Sequence, residues 1–337
     1  MTARLPPAAV CALAIVALGA CSSSSSSTTS SVSGSATTTS TTTATTTPTS
    51  TKPGTGKPPV IIGDKNYTEQ FVLGELYVQA LQAEGFSVTV DQNIGPLPVA
   101  IKGLETGTFN MYPEYLNVWN SQVAGDRRHF KTVRRAYLAA REYALKHGID
   151  LLRWTPFSDT AGIAATVTFA DQNHLRTIGN LADVASTLTV GGPPQFQQDS
   201  TSGLPAMEEA YGFSPAAYKI LNIPDQYAAL DQGTVQAAYV NTTDGEFTTD
   251  DYRLLADTKR VFGIGNVVPV VSVKTLDEEG PAFAATINRV SALLTLPVVR
   301  ELNAEVDPDL AGKSAAGVAS RFLADHGLIP PSSVSTS

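Results

Sequence analysis

The chain has 337 residues, 42% of them hydrophobic, and a formal net charge of −8. That balance fits a globular protein and argues against a nucleic-acid partner, and no basic stripe with interleaved aromatics contradicts it. Both cysteines, Cys11 and Cys21, fall at the front, which excludes disulfides, thiolate metal sites and a cysteine nucleophile from the rest.

Arg4 precedes an apolar run from Pro6 to Ala20 that is too short to span a membrane and fits a signal-peptide core. Its end, Leu18-Gly19-Ala20-Cys21, looks like a bacterial lipobox; residues 1–21 are then the signal peptide and Cys21 the lipidation site. Residues 22–59 are nearly all Ser and Thr and cannot bury a core. They read as a disordered tether with a reach of about 35 Å. No later apolar run approaches the ~18 residues of a membrane span, so the expected attachment is through the lipid.

Val60-Ile61-Ile62 predicts a strand that stops at Gly63. The polar turn Asp64-Lys65-Asn66-Tyr67-Thr68-Glu69-Gln70 then opens a helix, with Asn66 or Thr68 as N-cap and Glu69 as first-turn charge. Such a turn presents N–H groups, Lys65 and an aromatic ring at a strand's carboxyl end, where open α/β sheets hold ligands. Phe71, Val72, Leu76, Tyr77, Ala80 and Leu81 recur at helical spacing up to Gly85, and Phe86, Val88 and Val90 alternate as a strand. Helices follow over 98–106, closed by Gly107, and over 130–147, with a strand at 149–152. A strand at 188–190, a helix ending near Tyr211-Gly212 and a strand over 235–240 continue the alternation. This is the pattern of an α/β fold.

Catalytic chemistry is not written into the chain. His129, His147, His174 and His326 lack partner spacing and read as surface or helix-end residues, and there is no His-Glu-x-x-His or Gly-x-Ser-x-Gly motif. Glu278-Glu279 reads as helix-start charge. The expectation is a protein that is not an enzyme, with no metal or cofactor.

About forty residues after the first turn comes Gly107-Thr108-Phe109-Asn110-Met111-Tyr112-Pro113-Glu114-Tyr115. The two blocks together resemble the glycine betaine/choline/carnitine type of ABC-transporter solute-binding protein. Further matching blocks are Gly191-Gly192-Pro193-Pro194-Gln195-Phe196, Thr242-Thr243-Asp244-Gly245, Pro269-Val270-Val271 and Glu301-Leu302-Asn303. The resemblance implies a two-lobed periplasmic-binding-protein-like fold (type II) with parallel strands, an antiparallel crossover and a ligand cleft between the lobes. Sequence patterning alone suggests two consecutive domains. The resemblance implies a discontinuous arrangement instead: lobe 1 over 60–158, lobe 2 over 159–263 and a return to lobe 1 over 264–330. It also implies a receptor outside the cytoplasmic membrane that serves an ABC permease and ATPase on other chains, since no Walker loop is present here. A non-transport sensor lipoprotein on the same fold is the alternative.

The implied ligand-binding set is Lys65, Asn66, Tyr115, Asp159, Tyr239, Thr242 and Asn266, with Lys65 as carboxylate clamp and Tyr115 and Tyr239 as cage rings. A cage ring contributes about 0.5–2 kcal/mol and micromolar affinity needs about −8 kcal/mol, so several rings and a clamp are required. The chain departs from the family pattern at Leu116-Asn117-Val118, at Ala161, at Gln197-Gln198-Asp199-Ser200-Thr201-Ser202 and at Gly265. Phe157 is a candidate replacement ring. Gly265 and Ala161 are expected to enlarge the pocket, and Gln195, Gln197, Gln198, Asn117 and Asn266 to line it. Two solute classes follow: a quaternary amine, or a bulkier, less cationic solute that is hydroxylated or aromatic.

Overall fold

Ten strands form two separate five-stranded sheets in the computed structural model, which describes residues 51–331. The first sheet holds β1 (Val60–Gly63), β2 (Val88–Asp91), β3 (Met111–Tyr115), β4 (Ile149–Leu151) and β10 (Val267–Ser272), in the order β2-β1-β3-β10-β4. The second holds β5 (Ala161–Thr166), β6 (Thr189–Gly192), β7 (Ala217–Ile220), β8 (Ala237–Asn241) and β9 (Tyr252–Leu254), in the order β7-β6-β8-β5-β9. β1 runs parallel to β2 and β3, and β6 runs parallel to β7 and β8. Each sheet then takes one antiparallel strand from across the molecule: β10 between β3 and β4, and β5 between β8 and β9. This is the parallel sheet with an antiparallel crossover that the family implies, and the first sheet is assembled from both ends of the chain.

Both sheets are covered on both faces. Alternate residues of β10 serve opposite sides: Val267 and Val271 pack with the helices Thr68–Ala83, Pro281–Leu293 and Ala315–Asp325, while Val268 and Val270 pack with Trp119 and the helix Val133–Lys146. In the second sheet Ile163, Val190 and Ala237 face one cluster and Ala164, Ala238 and Val240 the other. Gly107 and Gly212 close their helices in the left-handed conformation (φ 74° and 67°), as their positions in the sequence predict.

Four local expectations are corrected. The first helix is N-capped by the extended Tyr67 rather than by Asn66 or Thr68, and the Tyr67 carbonyl receives the Gln70 and Phe71 amides. The long helix starts at Val133 because the Thr132 hydroxyl accepts from the Arg135 amide, which leaves Phe130 outside. Glu278 and Glu279 end the helix Val273–Glu279, and the next one starts at Pro281 after Gly280 (φ 82°). The expected tether does not run to residue 59. A turn over 52–57 is bound to the body by Gly54 N–H to the Glu84 carbonyl (3.0 Å) and Lys57 Nζ to the Glu278 carbonyl (2.7 Å). Gly54 fits so closely that a Cβ there would lie 2.1 Å from the Phe86 nitrogen. The expected signal peptide, Cys21 and the front of the expected tether lie outside the described residues.

Two crossing segments join the sheets. Ser158 bridges Asn266, the Asp159 amide donates to the Gly265 carbonyl (3.0 Å), and the Gly265 amide donates to Ser158 Oγ (2.9 Å). No single helix among the described residues is long and apolar enough to cross a membrane.

Candidate functional site

The carboxyl ends of β1, β3 and β8 meet at the crossing segments, and the turns that leave them carry most of the expected site residues. Lys65, in the turn after β1, is buried, with its Nζ 2.6 Å from both carboxylate oxygens of Glu114 and 5.6 Å from the Tyr112 ring centroid. Glu114 is fully buried because every residue of β3 is covered on both faces. The clamp expected at Lys65 is therefore taken by the protein's own carboxylate. A solute carboxylate would have to displace Glu114 from a buried pair, at a cost of several kcal/mol.

Beyond this pair, Tyr67, Tyr115 and Tyr239 lie within electrostatic reach of Asp159. Tyr67 is 42% exposed and stacks on Tyr115 at 6.2 Å. The Tyr115 hydroxyl donates to Glu69 Oε1 (2.8 Å) and accepts from Gln70 Nε2 (3.3 Å). Tyr239 donates to Asn241 Oδ1 (3.1 Å) and sets its ring edge against Phe196 at 5.1 Å. Burial raises the pKa of all three hydroxyls, and the nearby Asp159 charge raises each further. Asp159 is half-buried, with Oδ1 3.4 Å from the Thr242 hydroxyl oxygen. Burial raises its own pKa well above the usual carboxylate range, and the charges of Glu69 and Asp244 add to this.

The remaining expected residues play other parts. Phe157 is buried in the core beneath the first sheet, so it offers no replacement ring. Asn266 spends its amide on the carbonyls of Thr155 and Phe157 (2.8 and 2.9 Å), which fixes the crossing. Thr242 also works there, donating to the Ser158 carbonyl (3.0 Å) and accepting from the Thr160 amide (3.0 Å). Asn66 is exposed. Gly265 opens no space: a Cβ on it would fall 1.6 Å from the Asp159 carbonyl oxygen, so glycine is required by the close approach of two backbones.

A cavity of about 820 Å³ lies between the two halves, lined by Asn117, Ser121 and Phe130 on one side and Thr201, Ser202 and Phe262 on the other. Its walls include segments where the chain departs from the family pattern. Of the five expected liners only Asn117 lines it, since Gln195, Gln197 and Gln198 are exposed and Asn266 is engaged elsewhere. Arg127, Arg128, Lys259 and Arg260 border it against Asp126, Asp199 and Glu209. His129 lines it too, while His147 and His326 cap helix ends through backbone carbonyls. Among the described residues no group of three or more His, Cys, Asp or Glu side chains could hold a metal ion.

Asp64 carries a separate consequence. It is fully buried, accepts from the Asn93 amide (3.2 Å) through one oxygen, and has no partner among the described residues on the other. Burial pushes its pKa from 3.8 to about 7, and Glu75 and Asp91 push the same way. The folded state thus binds this proton more tightly than the unfolded one. Its contribution to stability is complete below about pH 4 and is lost as pH rises through 7. Urea titrations at pH 4 to 8 should show stability falling across that window, and Asp64→Asn should flatten the fall.

Sequence reasoning missed Glu69, Arg300 and Asn303. Glu69 is buried beneath the tyrosines, and Asn303, on the helix Leu296–Val306, donates to Glu69 Oε2 (3.1 Å) and to the Thr243 carbonyl (2.9 Å). A carboxylate two residues into a helix reads as ordinary first-turn charge, and nothing local ties it to an asparagine from the far end of the chain.

Two α/β sheets joined by paired crossings, with a cavity between them, define the class of two-lobed solute-binding proteins. The chain belongs to the OpuAC family, the substrate-binding domain of ABC-type glycine betaine transport systems, which matches residues 58–325. It is 27% identical to the glycine betaine-binding protein YehZ of Escherichia coli over 286 residues, covering 80% of this chain and 91% of that protein. To a glycine-betaine-binding protein of Pseudomonas aeruginosa it is 28% identical over 280 residues, covering 80% and 88%. The solved structure of apo YehZ superposes with a TM-score of 0.68 at 26% identity, covering 80% of this chain and 99% of that one. A crystal structure described as a glycine betaine/carnitine/choline ABC transporter gives 0.73 at 22% identity with the same coverage.

Proposed function

We propose that this chain captures a quaternary-amine solute, such as choline or glycine betaine, outside the cytoplasmic membrane and closes its lobes over it for an ABC permease and ATPase on other chains. The observation that carries the reading is that Tyr67, Tyr115 and Tyr239 all lie within electrostatic reach of Asp159. Tyr67 stacks on Tyr115 and the Asp159 side chain acts on all three hydroxyls, so a cation bound here would meet aromatic rings, each worth about 0.5–2 kcal/mol when desolvated, beside an acidic side chain. Because Lys65 is held by Glu114, a net cation is favoured over a zwitterion. The same reading includes a lipid anchor at Cys21, no catalytic role, and lobes divided near 158/159 and 263/264.

A second reading has one observation in its favour. The cavity of about 820 Å³ falls in the range that encloses drug-sized ligands, and its polar, arginine-bordered wall suits a bulky hydroxylated solute.

Thermal-shift and calorimetric titrations decide between them, with choline, glycine betaine, carnitine and proline betaine set against sugars, polyols and phenolic glycosides. A ligand at a thousand-fold excess over its Kd stabilises by about 4 kcal/mol. Choline is expected to stabilise, with Asp159→Asn weakening it at least about tenfold, which is roughly 1.4 kcal/mol. Stabilisation by bulky neutral compounds alone, unchanged in Asp159→Asn, overturns the quaternary-amine reading.

A further inference from the structure

One helix of the first-sheet half reaches across to the loop that leaves β8 in the other half. Arg300 donates through Nε and Nη2 to the Thr242 carbonyl (2.9 and 2.8 Å), and its guanidinium lies 4.8 Å from the Phe247 ring centroid. One turn on, Asn303 donates to the next carbonyl, Thr243, at 2.9 Å. The contact is tight enough that a Cβ on Gly245 would fall 2.6 Å from the Ala304 Cα. The same helix is fastened to the first-sheet core by Val299 and Leu302.

The Asn303 amide also donates to Glu69, whose other oxygen accepts from the Tyr115 hydroxyl. An unbroken chain of polar contacts therefore runs from Tyr115 through Glu69 and Asn303 to the loop of the opposite half. We propose that Glu69, Arg300 and Asn303 form a latch that holds the lobes closed and senses the solute site through the Tyr115 hydroxyl. None of the three needs to touch the solute, so they are positioning residues. The proposal rests on closure of two lobes but not on the identity of the solute.

The surroundings make the latch sensitive to charge. Glu69 and Asp244 are faced by Asp159 on the crossing segment, Tyr67 and Tyr115 on the first-sheet side, and Tyr227 and Glu246 on the other; Asp307 and Arg300 lie at the helix. Arg300 is the single cation in that group, and it donates to a backbone carbonyl rather than to a carboxylate.

Hydrogen exchange of the ligand-free full chain tests the latch without any solute. Asn303→Ala should raise exchange at least about tenfold in 242–248 and 296–306, while the strands of both sheets keep their protection. Arg300→Ala, which leaves the Glu69 contact intact, should do the same in 242–248. Asn303→Asp gives a signature that a merely structural role would not. It places a second carboxyl against Glu69, so the segments should be protected near pH 5, where one proton is shared, and exposed near pH 8, where both groups ionise and repel. Unchanged protection in Asn303→Ala and Arg300→Ala overturns the proposal. So does a loss spread evenly over both sheets, or an Asn303→Asp protein whose exchange, corrected for intrinsic rates, does not change with pH. A failure of choline to bind leaves this result intact, because no ligand is present in it.

Discussion

Lys65→Met is expected to destabilise the chain by about 3–5 kcal/mol, because it strands the fully buried Glu114 carboxylate without its one cationic partner among the described residues. Urea unfolding read at pH 7 should show the midpoint fall with an unchanged slope. Lys65→Met combined with Glu114→Gln should recover most of the loss, since the stranded charge is then gone. The experiment also separates two roles for one lysine. A clamp on solute would cost affinity and spare stability when removed. A structural pair costs stability first, and the 2.6 Å geometry on both oxygens places Lys65 in that second case.

Gly265→Tyr places an aromatic ring at a position where the chain departs from the family pattern, yet it is expected to destroy the hinge rather than build a cage. Any Cβ at this position meets the Asp159 carbonyl at 1.6 Å, and the far side is backbone that cannot swing away. Even Gly265→Ala must pry the crossing segments apart, breaking the Asp159–Gly265 and Gly265–Ser158 hydrogen bonds. The expected cost for alanine is about 3 kcal/mol or more, combining overpacking with lost hydrogen bonds. Differential scanning calorimetry should show both variants melting well below the parent chain. A Gly265→Tyr protein that melts normally and binds choline more tightly would refute this account of the crossing.

The alternation of strands and helices was legible because it depends on local spacing: Val60 to Gly63, Gly107 and Gly212 announce their roles within a few residues. The discontinuous first sheet was not legible from patterning, since nothing in Val267–Ser272 says that it pairs with β3 and β4 rather than with its neighbours; it came from family resemblance. At the candidate site, Tyr115, Asp159 and Tyr239 could be proposed from residue type and family resemblance. Their surroundings could not. Phe157 looks as available as any ring until its burial is seen, and Gly265 reads as a missing side chain although another backbone fills that place. Glu69 and Asn303 show the same limit. Each is unremarkable alone, and their meeting depends on how two distant helices pack.

The position of β10 has a consequence for the order in which the chain can fold. The first sheet needs this strand in its interior, between β3 and β4, but the chain makes it only after the whole second sheet. As the chain emerges, β3 and β4 must wait with unpaired edges, while β5 to β9 form a complete sheet of largely nearer contacts. The long-range closure of β10 onto Met111–Tyr115 is therefore expected to be the slow, aggregation-exposed event. A chain cut short before residue 267 would leave the later-made half intact and the earlier-made half unfinished, the reverse of synthesis order.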